Sequence, residues 1–109
     1  MNRVITVQQL MERLQQPGKV LILDVRKIHD FEADPQVIVG AERRLPDQVD
    51  AWLSSLPGDR EIVVYCVHGH AVSQGVLNRL HAANIDAYYL QGGIEDWKAA
   101  GGATVAAAA

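Results

Sequence analysis

The architecture of this chain follows from one stretch, Ile62-Val63-Val64-Tyr65-Cys66-Val67-His68-Gly69-His70-Ala71-Val72-Ser73-Gln74-Gly75. Its first four residues are an apolar run that predicts a buried strand ending at Cys66. A short polar loop follows, with Gly69 at its centre, and from Ser73 onward apolar side chains recur at helical spacing. The stretch therefore predicts a strand, a tight loop and a helix N-terminus, with a thiol at the carboxyl end of the strand.

The position of Cys66 favours a reactive thiol over an inert core cysteine, which is the usual role of a buried cysteine. Ligands of open α/β sheets bind at the carboxyl ends of the strands. A loop that leads into a helix N-terminus directs several backbone N–H groups at one point, which suits an anion or a thiolate. We call these N–H groups the amide cup, and it comprises Val67, His68, Gly69, His70, Ala71, Val72 and Ser73.

Length and composition indicate one globular domain with a single core. The chain has 109 residues, of which 49% are hydrophobic, and a formal net charge of −3, so no basic surface for nucleic acid is expected. One cysteine excludes an intrachain disulfide and a cysteine-rich zinc site. No apolar run approaches the roughly 20 residues that span a bilayer, so we predict a cytoplasmic protein without membrane contact.

Apolar runs alternate with helical patterns along the chain, which predicts an α/β fold with a mainly parallel sheet of about five strands. Strands are expected at residues 4–5, 20–23, 62–65 and 87–90, and a short strand or extended segment is expected at residues 37–41. Helices are expected after Thr6, at residues 27–34 with Ile28 and Phe31 facing inward, after Pro46, from Ser73, and over residues 94–100. Residues 1–100 form the predicted domain, and residues 101–109 lack a packing pattern and read as a flexible or vector-derived tail.

Polar side chains near the predicted site have structural and functional interpretations. Asp24 and Arg26 follow the second strand, and we favour an ion pair or bonds to loop amides over direct catalysis for Asp24. Arg43 and Arg44 are expected to be exposed on a loop. His68 and His70 either support a thiolate or point outward into solvent, and the second interpretation is favoured. A third ligand near them is missing from the pattern, so no metal site is predicted.

Four stretches together resemble the single-domain rhodaneses, a family of thiosulfate-type sulfurtransferases. They are Leu23-Asp24-Val25-Arg26, Gly40-Ala41, Val64-Tyr65-Cys66 with its glycine-bearing loop, and Leu90-Gln91-Gly92-Gly93-Ile94 followed by Trp97. The resemblance implies a five-stranded sheet with helices on both faces. It also implies that Cys66 is the nucleophile, that a small anionic sulfur donor loads it as a persulfide, and that a small thiol or a protein accepts the sulfur. No metal or organic cofactor is implied.

The loop departs from the pattern of the small rhodaneses in one respect. Ser73 lies seven positions after Cys66 rather than six, a length that resembles the rhodanese-fold phosphatases and arsenate reductases. Those enzymes carry an arginine in the loop where this chain has Val72, so the bidentate grip on a phosphoryl group is missing. We therefore predict a sulfurtransferase. The alternatives are a persulfide carrier or sensor for a protein partner and, less favoured, a cysteine-dependent phosphatase or oxyanion reductase.

Overall fold

The computed structural model describes residues 3–107, in which helices separate most of the strands. The strands are β1 Val4–Ile5, β2 Val20–Asp24, β3 Gln36–Ile38, β4 Glu42–Arg43, β5 Glu61–Tyr65, β6 Ala87–Leu90 and β7 Thr104–Ala106. The α-helices are α1 Val7–Arg13, α2 Ile28–Ala33, α3 Val49–Trp52, α4 Ala71–Ala82 and α5 Gly93–Ala99. No helix in this part of the chain has the length and apolar content needed to cross a membrane.

Five strands form one parallel sheet in the order β1-β6-β5-β2-β4. The strands β2 and β5 occupy central positions and are apolar along almost their whole length, as expected of parallel strands covered on both faces. Asp24, the last residue of β2, lies beside Tyr65 on one side and Arg43 on the other. The predicted α/β fold with a five-stranded parallel sheet is confirmed.

Helices cover both faces of this sheet, because side chains along each strand alternate between two apolar clusters. On one face Ile22 and Val63 pack with Leu10 of α1 and with Ile94 and Trp97 of α5. On the other face, residues of β2 and β5 pack against Trp52 of α3 and against α4. The strand residues are Leu21, Leu23, Ile62 and Val64, and the α4 residues are Val76, Leu77 and Leu80. The sheet is therefore the middle layer of three.

Local sequence signals place several of these elements correctly. Thr6 and Gln9 form a capping box at the start of α1, the helix expected after Thr6. Asn84 adopts a left-handed conformation, with φ of 63°, after the end of α4. Each signal is local, because the backbone groups left without partners at a helix end are satisfied by residues nearby in the sequence.

The strand predicted at residues 37–41 is wrong in its extent and its place. Residues 36–38 form β3, which pairs antiparallel with β7 and stands outside the parallel sheet. The fifth strand of the sheet is β4, which follows at Glu42–Arg43. The strand β4 consists of two polar residues, so no apolar run marks it in the sequence. Val37 and Ile38 of β3 are apolar and buried, which is why they resemble a core strand.

The helix predictions need three corrections. The helix α4 begins at Ala71 rather than Ser73, so that the five residues 66–70 join it to β5. The segment after Pro46 is divided into one α-helical turn between two 3₁₀ turns, at Pro46–Gln48 and Leu53–Ser55. Ile28 was expected to face inward, but 58% of its surface is exposed.

The predicted flexible tail is wrong for the residues that the structure describes. Residues 104–106 form β7, whose Val105 pairs with Val37 of β3. Ala103 O accepts hydrogen bonds from the Trp97 indole at 2.9 Å and from Val39 N at 3.1 Å. The segment packs against the domain because it accepts the hydrogen bonds of these two donors. Its alanine-rich composition gives no sign of this role. Residues 108–109 of the predicted tail lie outside the described part of the chain.

Candidate active site

Cys66 is the first residue after β5 and lies almost buried, with 5% of its surface exposed. Its thiol donates a hydrogen bond to Ser73 Oγ at 3.1 Å. Ser73 is fully buried in the first turn of α4. The loop between the strand and the helix therefore folds back so that the two ends of the predicted site meet. A hydroxyl at this position can reverse the bond and donate to sulfur once the thiol loses its proton.

The helix α5 fixes the orientation of the first two loop peptides. Ile94 N donates to Cys66 O at 3.0 Å, and Glu95 N donates to Val67 O at 3.2 Å. All the described peptide bonds are trans, so the C=O and N–H of one peptide point in opposite directions. The N–H groups of Val67 and His68 consequently point away from α5.

A similar arrangement holds at the other end of the loop. Gln74 Nε2 donates to Gly69 O at 3.0 Å, which turns the N–H of His70 away from that side chain. Within residues 3–107, no acceptor takes a hydrogen bond from any backbone N–H of residues 67–73. The amide cup is therefore present, and its donors are available to an anion or a thiolate.

Close packing against a glycine turn holds the loop in this shape. A Cβ on Gly69 would lie 2.8 Å from Gly92 N and from Leu90 O. A Cβ on Gly93 would overlap the carbonyl oxygens of Cys66 and Val67, and Gly93 also has a φ of 63°. Only glycine satisfies both the backbone angle and the contact at this position.

The other predicted binding residues form the rim of the loop. His68, His70 and Ala71 are exposed, and Val72 is half-buried. The two imidazole rings are tilted with their centroids 6.4 Å apart. Both histidines thus take the outward orientation that the sequence favoured. In the described part of the chain, no three His, Cys, Asp or Glu side chains are grouped to hold a metal ion.

Asp24 and Arg26 form a buried ion pair beneath the loops at this end of the sheet. Arg26 donates to Asp24 Oδ2 through Nη2 at 2.7 Å and through Nε at 3.0 Å. Burial by itself would lower the pKa of Arg26, but the hydrogen bonds and charge of Asp24 outweigh it and raise that pKa. Asp24 therefore forms the ion pair with Arg26 that the sequence favoured, and both side chains are out of solvent.

Two further residues complete this ion pair, and sequence reasoning missed both. Tyr65 donates to Asp24 Oδ2 at 2.9 Å and accepts from Ile38 N at 3.0 Å. Burial and then the charge of Asp24 raise the pKa of Tyr65, so its hydroxyl stays protonated and donates. A buried tyrosine in an apolar strand signals that such a partner exists, without identifying it.

Arg43 is the second missed residue, and its predicted exposure is wrong. Its side chain is 20% exposed, and Nη1 donates to Asp24 Oδ1 at 3.2 Å and to Arg26 O at 2.8 Å. The parallel pairing of β2 with β4 brings it opposite Asp24, a register that the sequence does not reveal. Arg44 instead pairs with Glu42 at the surface.

An apolar cleft of about 750 Å³ adjoins the loop, with Ala71 and Val72 in its wall. A larger cleft of about 900 Å³ lies elsewhere and is lined by residues of both charges, including Arg13, Lys19 and Asp59. The larger cleft includes no residue of the Cys66 loop. The smaller cleft therefore adjoins the loop at Ala71 and Val72, while Cys66 and Ser73 are not among its lining residues.

Comparison with known proteins agrees with this geometry. A family model described as the Rhodanese-like domain matches residues 6–100. No curated protein matches the chain. A rhodanese-like domain protein from Staphylococcus aureus is 28% identical, with a TM-score of 0.75, over 89% of this chain and 91% of that one.

Two other solved structures share the fold. A thiosulfate sulfurtransferase from Pseudomonas aeruginosa is 23% identical with a TM-score of 0.81, over 98% of this chain and 20% of that one. A Rhodopseudomonas palustris protein described as a possible tyrosine phosphatase is 20% identical with a TM-score of 0.74, over 95% and 85% of the two chains. Since the family model spans most of the sequence, the chain belongs to the rhodanese-like domain family.

Proposed function

We propose that this protein is a sulfurtransferase that carries sulfane sulfur as a persulfide on Cys66. The observation that supports this most directly is the Cys66 thiol, which donates to Ser73 Oγ just after β5. It lies beside backbone N–H groups of residues 67–73 that donate to no acceptor in the described residues 3–107. A thiolate at this position is stabilised by the helix N-terminus and by the Ser73 hydroxyl.

The proposed first step loads Cys66 from a thiosulfate-type donor. The Cys66 thiolate attacks the outer sulfur of thiosulfate, an S–S bond to Sγ forms, and the bond to the sulfonate sulfur breaks. Sulfite leaves with the electron pair of that bond, and the total charge is unchanged. The amide cup binds the sulfonate oxygens and the terminal sulfur of the persulfide, as an oxyanion hole stabilises developing charge.

The second step returns Cys66 to its thiolate. A thiophilic acceptor, a small thiol or a protein thiol, attacks the outer sulfur and breaks its bond to Sγ, which keeps the electron pair. We further propose that the protein acts in the cytoplasm, where reducing conditions keep a lone cysteine as a thiol.

The test combines intact-mass measurement with a turnover assay. Incubation with thiosulfate is expected to add the mass of one sulfur atom, and cyanide is expected to remove it as thiocyanate. Cys66→Ser is the control and should remain folded while losing both steps. Wild-type protein that stays unmodified under excess thiosulfate would contradict the proposal. Loading without cyanide turnover would favour the persulfide carrier or sensor.

A phosphatase activity has weaker support, although a related fold carries that description. Phosphoryl transfer depends on positive charge held against the transferring group. Val72 occupies the position of the loop arginine, and both Arg26 and Arg43 are engaged by Asp24. We therefore expect negligible hydrolysis of aryl phosphates under conditions in which sulfur transfer is readily measured.

A further inference from the structure

The loop that carries the amide cup is held through its carbonyl groups, and two of the four hydrogen bonds come from Gln74. Backbone N–H groups of α5 donate to Cys66 O and Val67 O. At the other end of the loop, Gln74 N donates to His70 O at 3.1 Å, and Gln74 Nε2 donates to Gly69 O at 3.0 Å. Gln74 therefore binds two successive carbonyl groups where the loop enters α4.

One of these four hydrogen bonds depends on the identity of a side chain. Across the residues that the structure describes, the Gln74 amide is the only side-chain donor to a carbonyl of residues 66–70. The other three donors are backbone N–H groups, which every folded variant keeps. The peptide between Gly69 and His70 is thus the part of the loop whose orientation a single substitution can release.

Gly69 gives this peptide the freedom to turn. Its φ is 75°, a region that glycine adopts readily. Backbone atoms of Leu90 and Gly92 fill the place that a side chain on Gly69 would occupy, which fixes its Cα but not the plane of the peptide that follows. The Gln74 hydrogen bond selects one orientation of that plane. In this orientation the carbonyl faces Gln74, and the N–H of His70 points the opposite way.

The start of α4 has no group of its own that competes with an anion for these donors. His70 occupies the N-cap position, and its side chain forms no capping hydrogen bond in the described structure. Serine, threonine, aspartate or asparagine at an N-cap would accept N–H groups of the first turn. Residues 71–74 include no acid, which would repel an anion at a helix N-terminus.

We propose that Gln74 is a positioning residue for the anionic sulfur donor. It holds the peptide between Gly69 and His70 with its N–H in the amide cup, and it thereby sets the affinity of the cup for an anion without touching the donor. This inference rests on the proposed sulfurtransferase function, and it names the residue that tunes the same site toward negatively charged donors.

The test compares the alkylation of Cys66 by iodoacetate and by iodoacetamide. In both reactions the thiolate attacks the CH₂ carbon and iodide leaves with the electron pair, so the ratio of the two rate constants does not depend on the protonation of the thiol. The iodoacetate carboxylate serves as a probe of the same charge sign as the donor. Gln74→Met removes the amide and keeps a similar length, and we expect the ratio of iodoacetate to iodoacetamide rates to fall about tenfold.

A second substitution at the same position gives a sharper result. Gln74→Glu keeps the shape of the side chain but replaces the donor by an acceptor, which repels Gly69 O and attracts the N–H of His70. The peptide should then turn, so that a carbonyl replaces an N–H in the cup and the ratio falls further than in Gln74→Met. Circular dichroism verifies that each variant is folded.

Asn78 provides matched controls, because it is exposed one turn further along α4. Asn78→Met should leave the ratio of the two alkylation rates unchanged. Asn78→Asp adds the same charge as Gln74→Glu at an exposed position, where salt screens it, and should lower the ratio less than about twofold.

The outcomes separate this inference from the function on which it rests. If Gln74→Met has the wild-type ratio, or Gln74→Glu lowers the ratio no more than Asn78→Asp, the role of Gln74 is wrong while sulfur loading of Cys66 is unaffected. If the ratios change as expected but thiosulfate does not load wild-type Cys66, the proposed function fails instead. When thiosulfate does load Cys66, the concentration that half-saturates the loading rate should rise about tenfold in Gln74→Met. An unchanged half-saturating concentration would also overturn the inference.

Discussion

Ser73 Oγ accepts a hydrogen bond from Cys66 Sγ, the sulfur on which the proposed function depends. The Sγ–Oγ distance of 3.1 Å lies within the range for a hydrogen bond that involves sulfur, and both residues are shielded from solvent. A hydrogen bond to a charged group contributes about 1.5–3 kcal/mol, more than one between neutral groups. The Ser73 hydroxyl is therefore expected to matter most when Cys66 is a thiolate.

Replacement of this hydroxyl tests its role. Ser73→Ala is expected to lower the rate of persulfide formation from thiosulfate about tenfold or more, because the thiolate loses a charge-assisted hydrogen bond. The rate is measured by intact mass over time. Ser55→Ala is the control, since the Ser55 hydroxyl bonds Trp52 O away from the loop and should leave the rate unchanged. Equal rates for wild type and Ser73→Ala would exclude this role.

Asp24 provides a second prediction for a single residue, in this case for stability. Asp24→Asn would leave the guanidinium of Arg26 buried without its counter-charge, and Arg26 is only 2% exposed. Loss of one partner of a buried pair costs about 3–5 kcal/mol, and we expect that decrease in the free energy of unfolding, measured in urea. Asp50→Asn, which breaks the exposed pair with Arg79, should cost less than about 1 kcal/mol. Similar losses in the two variants would contradict the structural role of Asp24.

These single-residue roles differ in how far the sequence reveals them. Asp24 and Arg26 lie two positions apart, so their pairing is evident from the chain itself. Cys66 and Ser73 are joined by a short loop whose glycine and helix signals are also local. Tyr65 and Arg43 reach Asp24 only through strand register, which depends on the whole sheet and is absent from a local pattern.

At the scale of elements, α5 acts as the anchor of the active loop. Its first turn donates backbone N–H groups to Cys66 O and Val67 O, so the helix satisfies its own orphan donors while it orients the loop. The sequence predicted α5 and the main strands, because the apolar residues of these elements form runs or recur at regular spacing. It did not predict their contact with the loop, and it missed β4, whose two polar residues have no such signal.

The contact between α5 and the loop can be tested with two glycines. Gly93→Ala is expected to lower both stability and sulfur transfer, because the new methyl group overlaps loop carbonyls in addition to the strain of a positive φ. We expect a loss of at least about 2 kcal/mol in the free energy of unfolding and a sulfur-transfer rate reduced about tenfold or more. Urea denaturation and thiocyanate formation measure the two effects.

Gly101→Ala is the matched control for this prediction. Gly101 has a φ of 83°, and a Cβ there would meet nothing within 4 Å. Strain alone should then lower the free energy of unfolding by about 1–2 kcal/mol and leave the activity of the folded protein intact. A Gly93→Ala protein that transfers sulfur as fast as Gly101→Ala would show that the loop does not depend on this contact.

At the scale of the whole molecule, the parallel sheet directs the ends of β2, β4 and β5 to one edge, where the loop, the ion pair and the cleft meet. The pair β3 and β7 lies outside that sheet, and β3 reaches the ion pair through Ile38 N, which donates to the Tyr65 hydroxyl. The family model ends at residue 100, so β7 lies beyond the matched region. The part of the fold least evident from sequence is thus the segment that pairs only with distant residues.

Removal of residues 103–109 tests whether this last segment belongs to the folded domain. The truncation deletes Ala103 O, the acceptor for the Trp97 indole and for Val39 N, together with the pairing of β7 to β3. Trp97 is only 2% exposed, so its N–H would lose its partner in a largely buried setting. We expect the free energy of unfolding, measured in urea, to fall by about 2 kcal/mol. Val105→Ala keeps the backbone bonds and changes an exposed side chain, so its stability should stay close to that of the wild type. An unchanged free energy of unfolding after truncation would contradict this prediction and would show that residues 103–107 contribute nothing to the stability of the domain.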